Sequence, residues 1–309
     1  MMENKIKVIA VAGPTASGKS ALAIALAKAF DGEIVSCDSM QIYRKMDIGT
    51  AKATEAERKE VPHHLIDVAD PDQCWSLAEF AKRAHSAIAD IVARGKMPIL
   101  CGGTGLYLDN ILFDTELSEA PADEGYRKSL ERYTNEELFE MLQKIDAPCA
   151  EANHQNNRRR VVRALEIYHT TGKTKTDWDR GSRVKTPRYD ALIIGLFAED
   201  RQILYDRIER RVDEMMEMGL AEEVARLAPE LGATAAQAIG YKEILWGLSG
   251  QMTMEEAVAQ LKTATRRYAK RQLTWFRANP DVRWIDITGK DKAALAKEGG
   301  ELAKEFLKK

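Results

Sequence analysis

Gly13-Pro14-Thr15-Ala16-Ser17-Gly18-Lys19-Ser20 fits the pattern GxxxxGK[ST], and its flanks decide what the pattern means. Before it, Lys7 to Ala12 is a short β-branched run; after it, Ser20 to Phe30 is alanine-rich and helical in composition. A strand, a glycine-rich turn and a helix in that order form a phosphate cradle. The glycines let backbone N–H groups point inward, the helix dipole adds positive potential, Lys19 adds a charge and Ser20 offers a magnesium ligand. Gly13, Thr15, Ala16, Ser17, Gly18, Lys19 and Ser20 are therefore the candidate phosphate-binding set, with Ser20 as the metal-ligating residue. Thr15 either hydrogen-bonds a phosphate or caps the turn, and spacing leaves both open. The loop specifies phosphate without specifying the compound, because a nucleotide and a pyrophosphate leaving group satisfy the same cradle.

Working outward, Glu33 to Cys37 is a second apolar run that ends at Asp38, and Pro98 to Cys101 is a third that ends at Gly102-Gly103. With Ala191 to Phe197 as a further strand, short buried strands alternating with helices predict an α/β fold. Its core is a parallel sheet flanked by helices, resembling P-loop nucleotide hydrolases. From 121 to 186 the pattern changes to charged amphipathic helices with no strand-like run, which predicts an inserted all-helical domain edged by Pro121 and by Gly172 to Pro187. The core domain then comprises 1–120 and 187–309, with Asp200 to Trp275 almost wholly helical.

Composition excludes little else. The chain has 309 residues, 45% hydrophobic and 30% charged, which is ordinary for a soluble globular protein and too rich in apolar residues for a disordered one. Its net charge of −2 hides segregation of the basic residues, so a nucleic-acid partner stays open. Cys37, Cys74, Cys101 and Cys149 lie far apart with no CxxC pair, which signals neither a zinc site nor a disulfide framework. The N-terminal apolar run is too short for a signal peptide or a membrane span, and a cytoplasmic location is expected.

Asp38, at the end of the second strand, projects at the carboxyl edge where open α/β sheets bind ligands. It reads as a general base, a magnesium partner or a turn former. Arg158, Arg159, Arg160 and Arg163 form one basic cluster, and 262–278 carries six basic residues and no acidic one, interleaved with Tyr268, Trp275 and Phe276. Either stretch alone is consistent with a solvated face; together they suit a groove for RNA phosphates, with Trp275 and Phe276 expected mainly in the core. His63 and His64 are adjacent and have no third ligand nearby, which argues against a metal site. Trp75 and Tyr107 are assigned to packing.

GPTASGKS from Gly13, DSMQIY from Asp38, GTAK from Gly49 and HHLID from His63 follow one another in order. GGTGLY from Gly102, RRVVRALE from Arg159, AIGYKE from Ala238 and RQLTWFR from Arg271 complete the series. In that order and spacing the chain resembles the tRNA dimethylallyltransferases, also called tRNA isopentenyltransferases, over essentially its whole length. It departs at Ala53, where proline is common, and it ends without the Cys and His of a C-terminal zinc finger, which points to the bacterial type. The resemblance implies transfer of a dimethylallyl group from dimethylallyl pyrophosphate to N6 of the adenine beside the anticodon of tRNA, with Mg2+ present and the enzyme acting as a monomer. The phosphate loop then holds the donor's pyrophosphate rather than ATP. Asp38 and Thr15 become catalytic, Asp38, Ser39, Met40, Gln41 and Thr104 lie against the RNA, and Arg127, Arg159, Arg160 and Arg163 contact tRNA. An arginine should stabilise the leaving pyrophosphate; Arg207 is the choice, with Arg163 and Arg210 as rivals. A stacked adenine hides its N6, so it must be flipped into a pocket between the phosphate loop and the insertion. The competing readings are a prenyltransferase acting on free adenine nucleotides, a small-molecule kinase, and a non-catalytic RNA-binding module.

Overall fold

A computed structural model describes residues 5–114, 120, 123–181 and 186–309. The chain divides into two compact units, Met1–Leu112 with Arg188–Lys309, and Phe113–Pro187. Pro121 and the segment 182–185, inside the two expected domain edges, lie outside the described residues.

The first unit opens with β1 (Lys7–Ala12), α1 (Lys19–Ala29), β2 (Gly32–Ser36), α2 (Glu55–Glu60) and β3 (His63–His64). It continues through α3 (Leu77–Ala93), β4 (Met97–Gly102) and α4 (Gly105–Leu112). The second unit holds β5 (Phe113–Asp114), α5 (Glu124–Leu130), α6 (Asn135–Ile145), α7 (Ala147–Glu151), α8 (Arg158–Thr171), α9 (Lys175–Gly181) and β6 (Thr186–Pro187). The chain then returns to the first unit with β7 (Asp190–Phe197), α10 (Arg201–Glu217), α11 (Leu220–Leu227) and α12 (Tyr241–Leu248). It ends with α13 (Met254–Arg277), β8 (Val282–Asp286) and α14 (Lys292–Lys308).

The first unit is built on a six-stranded sheet of order β3-β2-β4-β1-β7-β8, parallel throughout. Val8 to Ala12 are fully buried because β1 lies between β4 and β7 with helices on both faces, as a continuous apolar run requires. Two strands escape the search for such runs. Val282–Asp286 lies at one edge and buries only Val282 and Ile285, while His63–His64, at the other edge, is only two residues long. Phe276 is 4% exposed, as expected, but Trp275 is 45% exposed, so its expected place in the core is corrected.

The second unit packs α5, α6, α7 and α8 around Leu130, Leu138, Leu142, Val161 and Leu165. Thr134 and Glu137 form a capping box that starts α6. It is not purely helical: Phe113 pairs with Pro187 and Asp114 with Thr186 in a short antiparallel ribbon where the chain enters and leaves.

Candidate active site

Three loops leave the carboxyl ends of β1, β2 and β4 side by side. The first is the phosphate loop, in which Gly18 adopts φ 92° before α1 and Ala16 takes φ 62°, a conformation that turns successive N–H groups toward one point. Among the described residues the buried Ser17 hydroxyl has no hydrogen-bond partner. Lys19 Nζ donates to the Pro14 carbonyl at 3.2 Å. Burial pushes its ammonium below the usual lysine value; Arg211 pushes the same way and Asp38 against it.

The second loop carries Asp38, whose Oδ1 accepts the N–H of Met40 at 2.9 Å and of Gln41 at 3.4 Å. The turn-forming reading of Asp38 is thus realised on one carboxylate oxygen, while Oδ2 takes no hydrogen bond among the described residues and is available for chemistry. The third loop follows β4. A Cβ on Gly102 would fall 2.2 Å from the Cys37 carbonyl oxygen, so only glycine lets the second and third loops approach. Thr104 then accepts the Ser39 N–H at 3.4 Å.

The helices α10 and α13 close the site. Arg211, on α10, reaches within 3.5 Å of the Thr15 hydroxyl. Burial pushes its guanidinium down from the ordinary arginine value, and the Asp38 and Glu214 carboxylates oppose the shift. From α13, Gln272 spans two loops, accepting the Thr15 N–H at 2.9 Å and donating to the Gly103 carbonyl at 2.9 Å. Burial, with the charge of Asp38, pushes the Tyr268 hydroxyl up to about 12. Together these groups enclose a cavity of about 330 Å³, which Thr15, Lys19, Ser20, Asp38, Ser39, Met40 and Gln41 line beside Arg211. Every lining residue belongs to the first unit.

A fourth wall is the GTAK loop, fixed from two sides. Glu223 accepts N–H bonds from Asp47, Ile48 and Gly49 at 3.0, 2.9 and 3.0 Å, and the Tyr241 hydroxyl at 2.5 Å. Lys52, its side chain 1% exposed, donates to the Tyr43 carbonyl at 2.7 Å, to Asp47 at 2.6 Å and to Asp67 of HHLID at 2.7 Å. Only the lysine end of these ion pairs is buried; the Asp47 and Asp67 side chains are 58% and 30% exposed. The loop in turn receives the Gln41 side-chain amide on the carbonyls of Thr50 and Ala51, at 3.2 and 3.3 Å. GTAK and HHLID are therefore scaffolding for Gln41. His63 Nδ1 sits 2.8 Å from the Val61 carbonyl, and His64 Nε2 sits 2.7 Å from Glu33.

Not every residue singled out in the sequence reaches this cavity. Arg211 lines it, and Arg207 and Arg210 on the same helix do not. The arginines of the second unit divide by role. Arg127 and Arg163 both bind the fully buried Glu166; burial pushes that carboxyl up, but the two arginines more than offset it and hold it below the usual glutamate range. Arg158 donates to the carbonyls of Leu130 and Tyr133 at 2.9 and 2.8 Å, capping the end of α5. Arg159 and Arg160 are exposed. Glu223 lies outside the sequence motifs, and Gln272 lies within RQLTWFR without a role assigned to it there, although a glutamine within the buried stripe of α13 is a legible signal.

Sheet, phosphate loop and enclosed carboxylate define an α/β protein with a P-loop NTPase-like core. The family model for IPP transferase matches residues 41–279. The chain is 50% identical over 284 residues to the tRNA dimethylallyltransferase of Anoxybacillus flavithermus, covering 91% of each chain. It is 48% identical over 298 residues to that of Geobacillus thermodenitrificans, covering 94% of each. Among solved structures it is similar to the tRNA isopentenylpyrophosphate transferase of Bacillus halodurans, at 44% identity, TM-score 0.74 and 98% coverage of both chains. A eukaryotic dimethylallyltransferase acting on tRNA superposes with TM-score 0.84 at 32% identity, over 98% of this chain and 80% of that one. The chain belongs to the IPP transferase family.

Proposed function

We propose that this chain transfers a dimethylallyl group from dimethylallyl pyrophosphate to N6 of the adenine beside the anticodon of tRNA, releasing pyrophosphate. One observation carries the reading: the phosphate loop and Asp38 line the same cavity, with Arg211 beside Thr15. Gly13 to Ser20 cradle the pyrophosphate, and Met40, Ile208, Val212, Met215 and Leu261 supply apolar wall for a five-carbon tail. The adenine amine is a poor nucleophile because its lone pair is delocalised into the ring. As the N6–C1 bond forms and the C1–O bond breaks, Asp38 Oδ2 takes the N6 proton. Negative charge gathers on the departing pyrophosphate, where Lys19, Arg211 and the loop N–H groups already stand.

Magnesium fits this site. The Ser20 hydroxyl and the Asp38 carboxylate face the cavity, and among the described residues no group of three or more His, Cys, Asp or Glu could hold a metal alone. That donor set suits an ion that keeps waters and phosphate oxygens as its other ligands. When bound, it would neutralise charge on the pyrophosphate.

RNA approaches from the α13 side, where Arg267, Lys270 and Arg271 are exposed. Arg159 and Arg160 are the exposed RNA contacts of the second unit. No helix among the described residues is long and apolar enough to cross a membrane, and we place the enzyme in the cytoplasm, acting as a monomer. Incubation with magnesium, unmodified tRNA and labelled dimethylallyl pyrophosphate should place label in the RNA, whereas γ-labelled ATP should transfer nothing. Consumption of ATP that depends on Lys19, without prenylation, would favour the kinase reading.

A further inference from the structure

Trp275 is the anomaly of α13. Tryptophan is highly buried on average, yet this one leaves 45% of its surface in solvent. It is nevertheless fixed in place. The indole N–H donates to Asp109 Oδ2 at 3.2 Å, and the ring lies so close over Gly105 that a Cβ there would meet indole Cδ1 at 2.1 Å. Glycine at the start of α4 thus makes the seat for a flat ring held at its N–H edge by a carboxylate, with nearly half of the residue left in solvent. Leu106, the next residue, is itself 45% exposed.

The position matters as much as the exposure. Tyr268, Arg271 and Trp275 follow at helical spacing on one face of α13, and Tyr268 and Arg271 line the cavity. On the other side of the ring, Gly105 follows Thr104, whose hydroxyl accepts the N–H of Ser39 beside Asp38. Trp275 therefore stands one helical turn beyond the cavity lining and one residue from the loop that touches the catalytic turn. On its side of α13, four and eight residues back, stand the exposed Arg271 and Arg267, and no acidic residue occurs anywhere in 262–278. An aromatic side chain fixed in place and nearly half in solvent, with Arg271 one helical turn away and the Asp109 carboxylate engaged by its N–H, is complementary to a single-stranded base with its phosphates.

We infer that Trp275 is a stacking platform for a nucleobase flanking the reacting adenine, holding the opened RNA loop at the cavity edge while the target base is turned inward. The inference rests on RNA being the substrate. An unstacked neighbour leaves a π-face exposed to water, and an aromatic platform recovers that stacking without reading sequence.

The test uses the full-length enzyme, an anticodon stem-loop RNA, and two further RNAs with an abasic nucleotide on one side or the other of the target adenine. Trp275→Ala should raise the Kd and KM for intact RNA about ten- to a hundredfold, while pyrophosphate affinity, a property of the phosphate loop, holds. Trp275→Phe should recover most of the loss, since it keeps the aromatic face although it lacks the N–H for Asp109. One of the two abasic RNAs should bind wild type worse by a similar factor and bind Trp275→Ala no worse than intact RNA does. An unchanged RNA Kd in Trp275→Ala, a Phe variant as poor as Ala, or equal abasic penalties in both proteins would overturn the platform. So would sedimentation showing a wild-type dimer that Trp275→Ala dissolves, because the face would then belong to a second copy of the chain. If wild type fails to prenylate any RNA, the proposed function itself fails; if it prenylates and Trp275→Ala binds normally, only the platform does.

Discussion

Gln272 holds Thr15 in place: its side-chain oxygen accepts the Thr15 N–H at 2.9 Å, while its amide nitrogen is committed to the Gly103 carbonyl at the same distance. One N–H of the phosphate loop is thus taken by a side chain of α13, and the Thr15 hydroxyl is left facing Arg211. A residue 257 positions downstream in the chain thereby sets the geometry of the cradle.

Replacing Gln272 by Met keeps the volume and removes both bonds, each worth about 1 kcal/mol. Donor KM and pyrophosphate Kd should rise roughly tenfold. Gln272→Glu keeps the acceptor for Thr15 but brings a negative charge beside the bound pyrophosphate, so pyrophosphate affinity should fall in the order wild type, Met, Glu. Calorimetric titration with pyrophosphate checks the order; a Glu variant that binds like wild type would refute the assignment.

Arg211 stands against Thr15 in the cavity, and Arg207 and Arg210 do not line it. Arg211→Gln should therefore depress kcat by about 10²- to 10³-fold, the scale seen when one group facing developing charge is removed. Arg207→Gln and Arg210→Gln should stay within a few-fold of wild type. Steady-state rates of the three variants at saturating donor decide between them.

The arginines of α8 should separate by role. Arg158→Ala strips the caps from the carbonyls of Leu130 and Tyr133 and should lower Tm. Replacing Arg159 and Arg160 together should leave Tm alone and weaken tRNA binding. For every RNA phosphate left without its arginine, the slope of log K against log salt should flatten by about 0.7–0.9. A titration at three salt concentrations, with thermal melting as control, reads both.

Much of this was legible in the sequence because apolar runs and glycine turns encode the buried strands and the phosphate loop directly. Less visible were features set by packing between distant elements. On α10, Leu204, Ile208, Val212 and Met215 form the buried stripe. A period of 3.6 residues brings Arg211 nearer to that stripe than Arg207, so the pattern held the better choice. Trp275 is expected in the core because aromatics usually are; what overrides the expectation is Gly105, which seats the ring at the surface, and no local pattern announces that. The arginine cluster of α8 was legible as a cluster but not by role: Arg158 caps carbonyls 25 and 28 residues away, which no local pattern announces, whereas the Arg163–Glu166 pair three residues apart on one helix could have been read.

Glu33, on β2, is 2% exposed and sits between Arg94 and His64. The hydrogen bonds of Arg94 hold its carboxyl down at about 2, against an ordinary 4.5; burial opposes the shift and His64 adds to it. Because the folded-state value is depressed, the stabilisation is fully present above about 4.5 and is lost as pH falls toward 2. Glu33→Gln should accordingly lower Tm at neutral pH, and the gap to wild type should narrow through that acid window. Melting curves at stepped pH test the sign: a gap that widens on acidification would contradict it.

The central claim is that Asp38 takes the proton from the attacking amine inside the cavity that holds the pyrophosphate. Its most direct test is single-turnover transfer of labelled dimethylallyl to unmodified tRNA, with magnesium and saturating donor, by wild type and Asp38→Asn. The amide keeps an oxygen that can accept the N–H groups of Met40 and Gln41, so fold and tRNA affinity should hold. The rate should fall by roughly 10²- to 10⁴-fold. Transfer by Asp38→Asn at the wild-type rate would contradict the account.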